Sequence, residues 1–523
     1  MKRSCWFPFF LFCFLLSSFL KAQTTAFFEG KLIDFKTREA IPFATVKLKD
    51  KAIGVISNSD GHFKFPVRYR ESGNTIEISC IGYRTKIISI DQLGEEKLNV
   101  IVMEQATKEL SEVLIKAKKL KELAPYRIVQ IAIERVPHNY PRNPYSYSAY
   151  YRDYQWKEKN YINLNEALIG VYDSGFQSVD QLATGVRLYE YKKNVDFPRD
   201  TTTETPYDNK PASFDKGKNK YIPDAVLAPF GGNELSILRV HDAIRNYQQV
   251  SYSFVNQLDK NFVDNHFFTL VGDVYLNKTP LYLITFKSKL SVSGPSHHAA
   301  GKIYIQKSNF AIHKLEYAVY AKTMKEVQTM FDIQLEYART DSLMYLNYIS
   351  FNNFFKVRNE RDYKVISLVY DRRWNAFVIH VNNTPEASST YNKKNYEFTF
   401  DEKSLEIKFI EIAVKQKLIY VYLSDKEKSR FLVSGKDIGE KLKFTGKNLR
   451  DVDNRELDKI TFSAVHQFRE LFVQKLHPSS FTRPDTLFIQ RDKPLSQNPI
   501  ASREGDDTGS WMNSPLKKNK SDQ

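Results

Sequence analysis

Cysteine is almost missing from this chain. The three present are Cys5, Cys13 and Cys80, and the first two fall in the apolar N-terminal stretch. One thiol in the remainder excludes an intramolecular disulfide framework. Cys80 sits in the apolar run TIEISCIGY. A buried, inert thiol is expected there, since a reactive thiolate needs a cationic, accessible setting. No cysteine follows a small-residue cleavage site, which argues against a lipoprotein anchor. Long hydrophobic runs are missing too. Beyond the N-terminus no segment reaches the roughly 20 apolar residues that a membrane-crossing helix needs.

Catalytic signatures are also missing. The sequence holds no H-E-x-x-H, no pair of C-x-x-C motifs, no G-x-S-x-G elbow, no phosphate loop of the G-x-x-x-x-G-K-[ST] type and no G-x-G-x-x-G turn. Acidic residues are outnumbered, 61 against 77 basic ones, for a formal charge of +16. Such a surface attracts anions, including lipid headgroups. The densest basic run, KAKKLK at 116–121, reads as a solvated linker.

What is present starts with residues 1–22, MKRSCWFPFFLFCFLLSSFLKA. Lys2 and Arg3, an apolar run from Trp6 to Leu16, and Ala22 before Gln23 have the layout of a secretory signal peptide. Its removal leaves a charge near +13, because Lys2, Arg3 and Lys21 go with it. An exported protein is expected, which makes nucleic acid a poor partner. The roughly 500 residues that follow exceed one hydrophobic core. Aromatics make up 14% of the chain, and their abundance predicts a β-rich protein.

Residues 26–103 alternate with a period of two. Ala44, Val46 and Leu48 fall on one face of a strand, and Phe63, Phe65 and Val67 on one face of another. Ser59-Asp60-Gly61 between such runs signals a hairpin. About seven short strands in this spacing predict a small β-sandwich. The marks Pro42 with Ala44 and Val46, Asp60-Gly61 before Phe63, and Gly82-Tyr83 resemble the carboxypeptidase-regulatory-like domain. That resemblance implies a transthyretin-like sandwich, common at the N-terminus of exported proteins of Gram-negative bacteria, and with it a location in the periplasm or at the outer membrane. It implies no active site, because the domain is an accessory of the zinc carboxypeptidases.

A second resemblance is to an uncharacterised exported family that carries the same sandwich. Its marks are a short helix ending before Pro137, Asn139-Tyr140-Pro141, Tyr150-Tyr151-Arg152 and Glu166-Ala167, with echoes in LRVHDAIRN (238–246) and FRELFVQKL (468–476). It implies no known activity. From 251 to 425, strand and turn patterns alternate, and one large antiparallel sheet wrapped around a helix is expected. The pattern is similar to the half-open barrels of lipoprotein carriers. Charges interrupt many strands, which argues against a complete transmembrane barrel.

The fold class expected is therefore mainly β, a seven-stranded transthyretin-like sandwich followed by a large antiparallel β domain with a few helices. The expected division is a signal peptide at 1–22, the sandwich at 23–106, a linker strand and short helix at 107–145, the β-rich domain at 146–490 and a disordered polar tail at 491–523. No catalytic, cofactor-binding or metal-binding residue is assigned, and no cofactor is expected. His313 and Glu316 have the H-x-x-E spacing of zinc carboxypeptidases. The flanks read as a strand, where positions three apart face opposite sides. His297-His298 reads as a loop pair, Ser291-Val292-Ser293-Gly294 does not fit a nucleophile elbow, Gly231-Gly232 stands alone as a weak glycine signal, and Asp332 and Glu336 read as solvent-facing. Tyr345, Tyr348, Phe351, Phe354 and Phe355 read as sheet packing. The function expected is non-catalytic binding or scaffolding in the cell envelope. The alternatives are a carrier for an apolar or polymer ligand and an envelope hydrolase. Envelope proteins or lipids are the expected partners, with peripheral membrane association among the expectations.

Overall fold

A computed structural model describes residues 26–51, 53–70, 73–106, 123–157, 160–180, 184–204, 220–221, 233–247, 260–322, 327–358, 363–427, 441–459, 462–478, 485–503 and 509–515. The expected signal peptide, the basic run and Gly231-Gly232 lie outside the described residues. The chain divides into two compact units. The first comprises Met1–Pro211, Ile222–Phe354 and His466–Gln523; the second comprises Ala212–Tyr221 and Phe355–Val465.

The first unit starts with a seven-stranded sandwich of β1 (Phe27–Asp34), β2 (Thr45–Leu48), β3 (Gly54–Ile56), β4 (His62–Pro66), β5 (Thr75–Ser79), β6 (Lys86–Ser89) and β7 (Asn99–Met103). One sheet has the order β4-β1-β7 and the other β3-β2-β5-β6. Alternation decides which side chains point inward. Ala44, Val46, Leu48, Phe63 and Phe65 are buried in one core with Phe28, Ile76 and Ile78. The turn into β4 is tied by the Asn58 side chain, which accepts from the backbone N–H of Asp60 (3.0 Å) and His62 (2.8 Å). Gly61 has φ +75°, and a Cβ there would lie 2.6 Å from the Leu32 carbonyl oxygen, so this turn requires glycine.

The larger element of this unit is an antiparallel sheet. Its strands are β8 (Tyr145–Lys157), β9 (Asn160–Asp173), β10 (Gly185–Lys193), β12 (His266–Leu276), β13 (Thr279–Ser288), β14 (His297–Gln306), β15 (Ile312–Lys322), β16 (Val327–Thr340), β17 (Leu343–Arg358) and β25 (Phe462–His477). The order is β10-β9-β8-β25-β17-β16-β15-β14-β13-β12. One face packs on the sandwich, where Ile56 joins Tyr150, Leu168, Tyr189, Tyr348 and Phe472. Phe43 of the sandwich stacks on Tyr348 at 4.9 Å.

Helices cover the opposite face. Pro125 opens α1 (Pro125–Glu134), where its missing N–H costs nothing, and Ile128, Val129 and Ala132 are buried. A second helix, α2 (Val136–Asn139), carries Pro137 in its first turn. Tyr140 then lies edge-on to Tyr337 of β16 at 5.1 Å and donates to the Ile312 carbonyl at 2.7 Å. In α3 (Glu234–Val240), Leu235, Ile237 and Leu238 are buried. The short α4 (Lys260–Asn265) packs with α1 and β12. The first unit thus stacks sandwich, sheet and helices in three layers.

Residues 491–523, expected as a disordered tail, include ordered segments at 491–503 and 509–515. Trp511, 3% exposed, enters the sandwich core and donates its indole N–H to the Lys64 carbonyl at 3.0 Å. Asn513 accepts from the Lys64 N–H at 2.8 Å, and Gln474 of β25 makes two bonds to the Trp511 backbone. One buried indole and a few amide bonds order a segment whose average composition is polar.

The second unit corrects the expectation of a single sheet from 251 to 425. It contains β18 (Val365–Asp371), β19 (Ala376–Val381), β20 (Tyr396–Phe400), β21 (Lys403–Ser404), β22 (Ile407–Ala413), β23 (Leu418–Leu423) and β24 (Leu442–Gly446). The short β11 (Lys220–Tyr221) pairs with residues 356–357. A four-stranded sheet, β18-β19-β23-β22, faces a three-stranded sheet, β21-β20-β24, across a separate core. Phe377 stacks on Phe398 at 4.5 Å in that core. These strands are short, and each turns one apolar face inward, so they close on each other rather than extend the long sheet.

Candidate functional site

The segments that carried the second resemblance converge in the first unit, and they do so as paired charges. Arg152 of β8 is 2% exposed, and its Nε donates to Glu470 Oε2 of β25 at 2.6 Å. The Tyr348 hydroxyl donates to the other Glu470 oxygen at 3.1 Å. Next to this pair, Tyr150 donates to Glu166 Oε1 (2.7 Å), Asn194 to Oε2 (2.7 Å) and Ser514 to Oε1 (2.6 Å). On the helical face Arg245 grips Asp173 with two bonds of 2.9 Å, and Arg239 binds Asp180 at 2.6 Å. Arg469 binds Glu234 of α3 at 2.6 Å and Asn353 at 2.6 Å. Burial of such charges requires this degree of pairing. The arginines are held above their ordinary range where burial, which opposes the charge, is outweighed by Glu470 for Arg152 and by Asp173 for Arg245.

Three carboxyls are less well compensated. Burial, with Glu234 nearby, pushes Asp153 up to about 7. Burial pushes Asp242 up to about 6, although its carboxylate accepts from Tyr337 at 2.7 Å. Burial also pushes Asp332 up to about 6, with Asn352 as its hydrogen-bond donor at 2.9 Å. His241 stacks on Phe351 at 3.6 Å, and burial pushes it down to about 4.

Between the sandwich and the sheet lies a cleft of about 570 Å³, within the usual range of ligand sites. Thr45, Lys47 and Glu77 line one wall, and His313, Glu336 and Arg339 the other. Glu336 was expected to face solvent. It instead accepts from Asn347 (3.0 Å) and from Thr45 of the sandwich (3.5 Å), and burial pushes its carboxyl up against the pull of Lys314. Burial opposes the Lys314 charge, but Glu316 at 2.8 Å and Glu336 outweigh it and hold the ammonium above the lysine range. Cys80 lies in the same charged surroundings, and burial pushes its thiol up to about 12, as an inert thiol requires.

The H-x-x-E pair is not brought to one centre. His313 occupies a bulge, because Tyr304 pairs with Lys314 while Ile305 pairs with Ile312. It is buried, its Nε2 lies 3.1 Å from Gln306 Oε1, and burial pushes the imidazole down to about 4. Glu316 is spent on Lys314 and Lys302. His297-His298 open β14 as strand rather than loop, with His298 stacked on Tyr320 at 4.9 Å. Ser291 and Ser293 belong to a short helix, α5 (Leu290–Ser293). The aromatic residues from Tyr345 to Phe355 are buried in β17. Among the described residues no group of three His, Cys, Asp or Glu side chains could hold a metal ion. No described helix is long and apolar enough to cross a membrane.

Residues 28–115 match the CarboxypepD_reg-like domain, so the chain carries this domain at its N-terminal end. No curated protein matches the chain. Two solved structures are similar to part of it. One is a LolA superfamily protein from Nitrosomonas europaea, 9% identical, with a TM-score of 0.18 over 44% of this chain and 86% of that one. The other is a DUF1329 family protein from Desulfovibrio piger, 11% identical, with a TM-score of 0.21 over 44% of this chain and 87% of that one.

Proposed function

We propose that the protein is an exported, non-catalytic component of the cell envelope that binds a polar ligand or partner segment in the cleft between sandwich and sheet. One observation supports this reading above the others. The buried arginines of the sheet are consumed in pairs with carboxylates, led by Arg152–Glu470 and Arg245–Asp173, and two ionisable groups of the sheet that line the cleft, Glu336 and His313, are engaged by Asn347 and Gln306. General acid–base or nucleophilic chemistry needs a group with free reach to substrate. The cleft instead offers hydrogen-bonding and charged side chains on two walls, which suits recognition.

The test is affinity capture of the full chain from intact envelopes, with mass spectrometry of the proteins and lipids recovered. A stoichiometric companion lost on the double substitution Lys51→Glu, Arg339→Glu is expected; both side chains are exposed cleft residues. Hydrolysis of an envelope peptide or polymer by the purified protein, or a bound metal at unit stoichiometry, would overturn the reading.

A further inference from the structure

The second unit presents apolar surface at one end of its four-stranded sheet. The β18–β19 hairpin turns through Asp371, Arg372, Arg373, Trp374 and Asn375, and Trp374 at its tip is 61% exposed. This loop is pinned. Asp371 accepts from the Arg373 N–H and from its guanidinium, both at 2.9 Å. Asn375 adopts φ +47°, accepts from Tyr370 at 2.7 Å and donates to the Leu423 carbonyl at 3.2 Å. A tip tied this firmly holds its indole in water by construction.

The apolar surface continues along the sheet. Ala376 pairs with Tyr422, and Tyr422 pairs with Phe409 of β22. The two rings stack at 4.1 Å and 15°, and Phe409 is 40% exposed. Val369, next to the hairpin, is 59% exposed. Arg372 and Arg373 are exposed at the same end, and Lys408 nearby is paired with Asp425 at 3.1 Å. Of the acids at this end, Asp371 is occupied in holding Arg373, and Glu411 accepts from the Tyr422 hydroxyl at 2.9 Å.

We infer that the β18–β19 hairpin is a membrane-docking tip, with Trp374 and Phe409 entering the interfacial layer of a lipid leaflet and Arg372 and Arg373 meeting anionic headgroups. Indole rings favour the zone between hydrocarbon and water, where the apolar body and the N–H are both satisfied. Cations beside them gain from the negative surface potential of the leaflet. An aromatic tip with a cationic rim therefore complements an anionic lipid surface better than a neutral one. The inference concerns the second unit alone and is independent of the cleft.

The test uses the full chain without residues 1–22 and sedimentation with two vesicle types. One contains phosphatidylethanolamine and phosphatidylglycerol; in the other, phosphatidylcholine replaces the phosphatidylglycerol. Binding to the anionic vesicles is expected, weakened by salt, with Trp fluorescence quenched by brominated lipid. Trp374→Ala should weaken binding about tenfold, as loss of an interfacial anchor. Arg372→Glu should weaken it at least about fivefold. Both positions are exposed, so folding is expected to survive, and circular dichroism of each variant checks this. Equal binding to both vesicle types, binding unchanged by Trp374→Ala, or no binding would overturn the inference. A dimer dissolved by Trp374→Ala would overturn it as well, by assigning the surface to a second copy.

Discussion

Replacing Trp511 by Ala should loosen the N-terminal sandwich from a distance of more than 400 residues along the sequence. The indole is buried between Phe65, whose ring lies 5.5 Å away edge-on, and Tyr69 at 6.1 Å. Truncating a buried Phe or Trp to Ala typically costs about 3–5 kcal/mol, since the vacated volume is only partly refilled. The lost bond to the Lys64 carbonyl contributes about 1 kcal/mol of that total. The two Gln474 bonds use the backbone and would survive the substitution. We therefore expect a loss of about 4 kcal/mol in the sandwich, near the middle of that range. Trp511→Phe should keep most of the packing and lose about 1–2 kcal/mol. The local readout is hydrogen exchange of the peptide carrying β4, because Lys64 bonds through both its N–H and its carbonyl to residues 511–513. Faster exchange of that peptide, with the helical layer unchanged, is the expected result. Unchanged β4 protection, or a stability loss below about 1 kcal/mol, would refute the argument that this residue completes the core.

Four further outcomes are expected. Arg152→Met should cost about 3–5 kcal/mol by stranding the Glu470 carboxylate, and adding Glu470→Leu should recover most of that loss; urea unfolding of both variants decides it. Gly61→Val should destabilise the sandwich by roughly 1–3 kcal/mol through its positive φ, with Gly61→Asn milder, and thermal unfolding reads the difference. Asp153 is raised from 3.8 in the unfolded chain to about 7 in the fold, so its stabilising effect is present below about pH 4 and is lost as pH rises through about 7. Asp153→Asn should flatten the urea midpoint over that window, and an unchanged pH slope would count against the assignment. His313→Ala should lower stability by about 1–3 kcal/mol, because Gln306 loses its buried partner, without altering metal content measured by elemental analysis.

The sandwich was legible in the sequence because one-sided strands advertise themselves. Val46 and Lys47, or Phe63 and Lys64, alternate so sharply that faces, turn and topology class could be read together. The β12–β17 hairpins were legible for the same reason, and the first of them turns at Asn277, whose φ is +54°. The central strands were not. In β8, Tyr145–Tyr154 is buried on both faces, so Ser, Tyr, Arg and Asp occupy interior positions and period-two alternation disappears. Two of the charged pairs, Arg152 with Glu470 and Arg469 with Glu234, join residues hundreds of positions apart, which no local pattern encodes. The family-like segments did mark the right places, although what they marked is the packing of the sheet. The second core escaped because its strands have the same composition as their neighbours, and the boundary is set by where the apolar faces close. The opposite facing of His313 and Glu316 was legible, whereas the bulge at His313 and its burial were not.

The attachment of residues 511–513 to Lys64 also sets an order of events. β4 is the outer strand of its three-stranded sheet, and its outward N–H and carbonyl are satisfied by the last described stretch of the chain. During synthesis the sandwich would therefore keep an open flank until residues 511–513, more than 400 positions after Lys64, had followed. Exposed strand flanks invite pairing with other chains. Chains lacking residues 511–513 would keep that flank open to pairing with other chains.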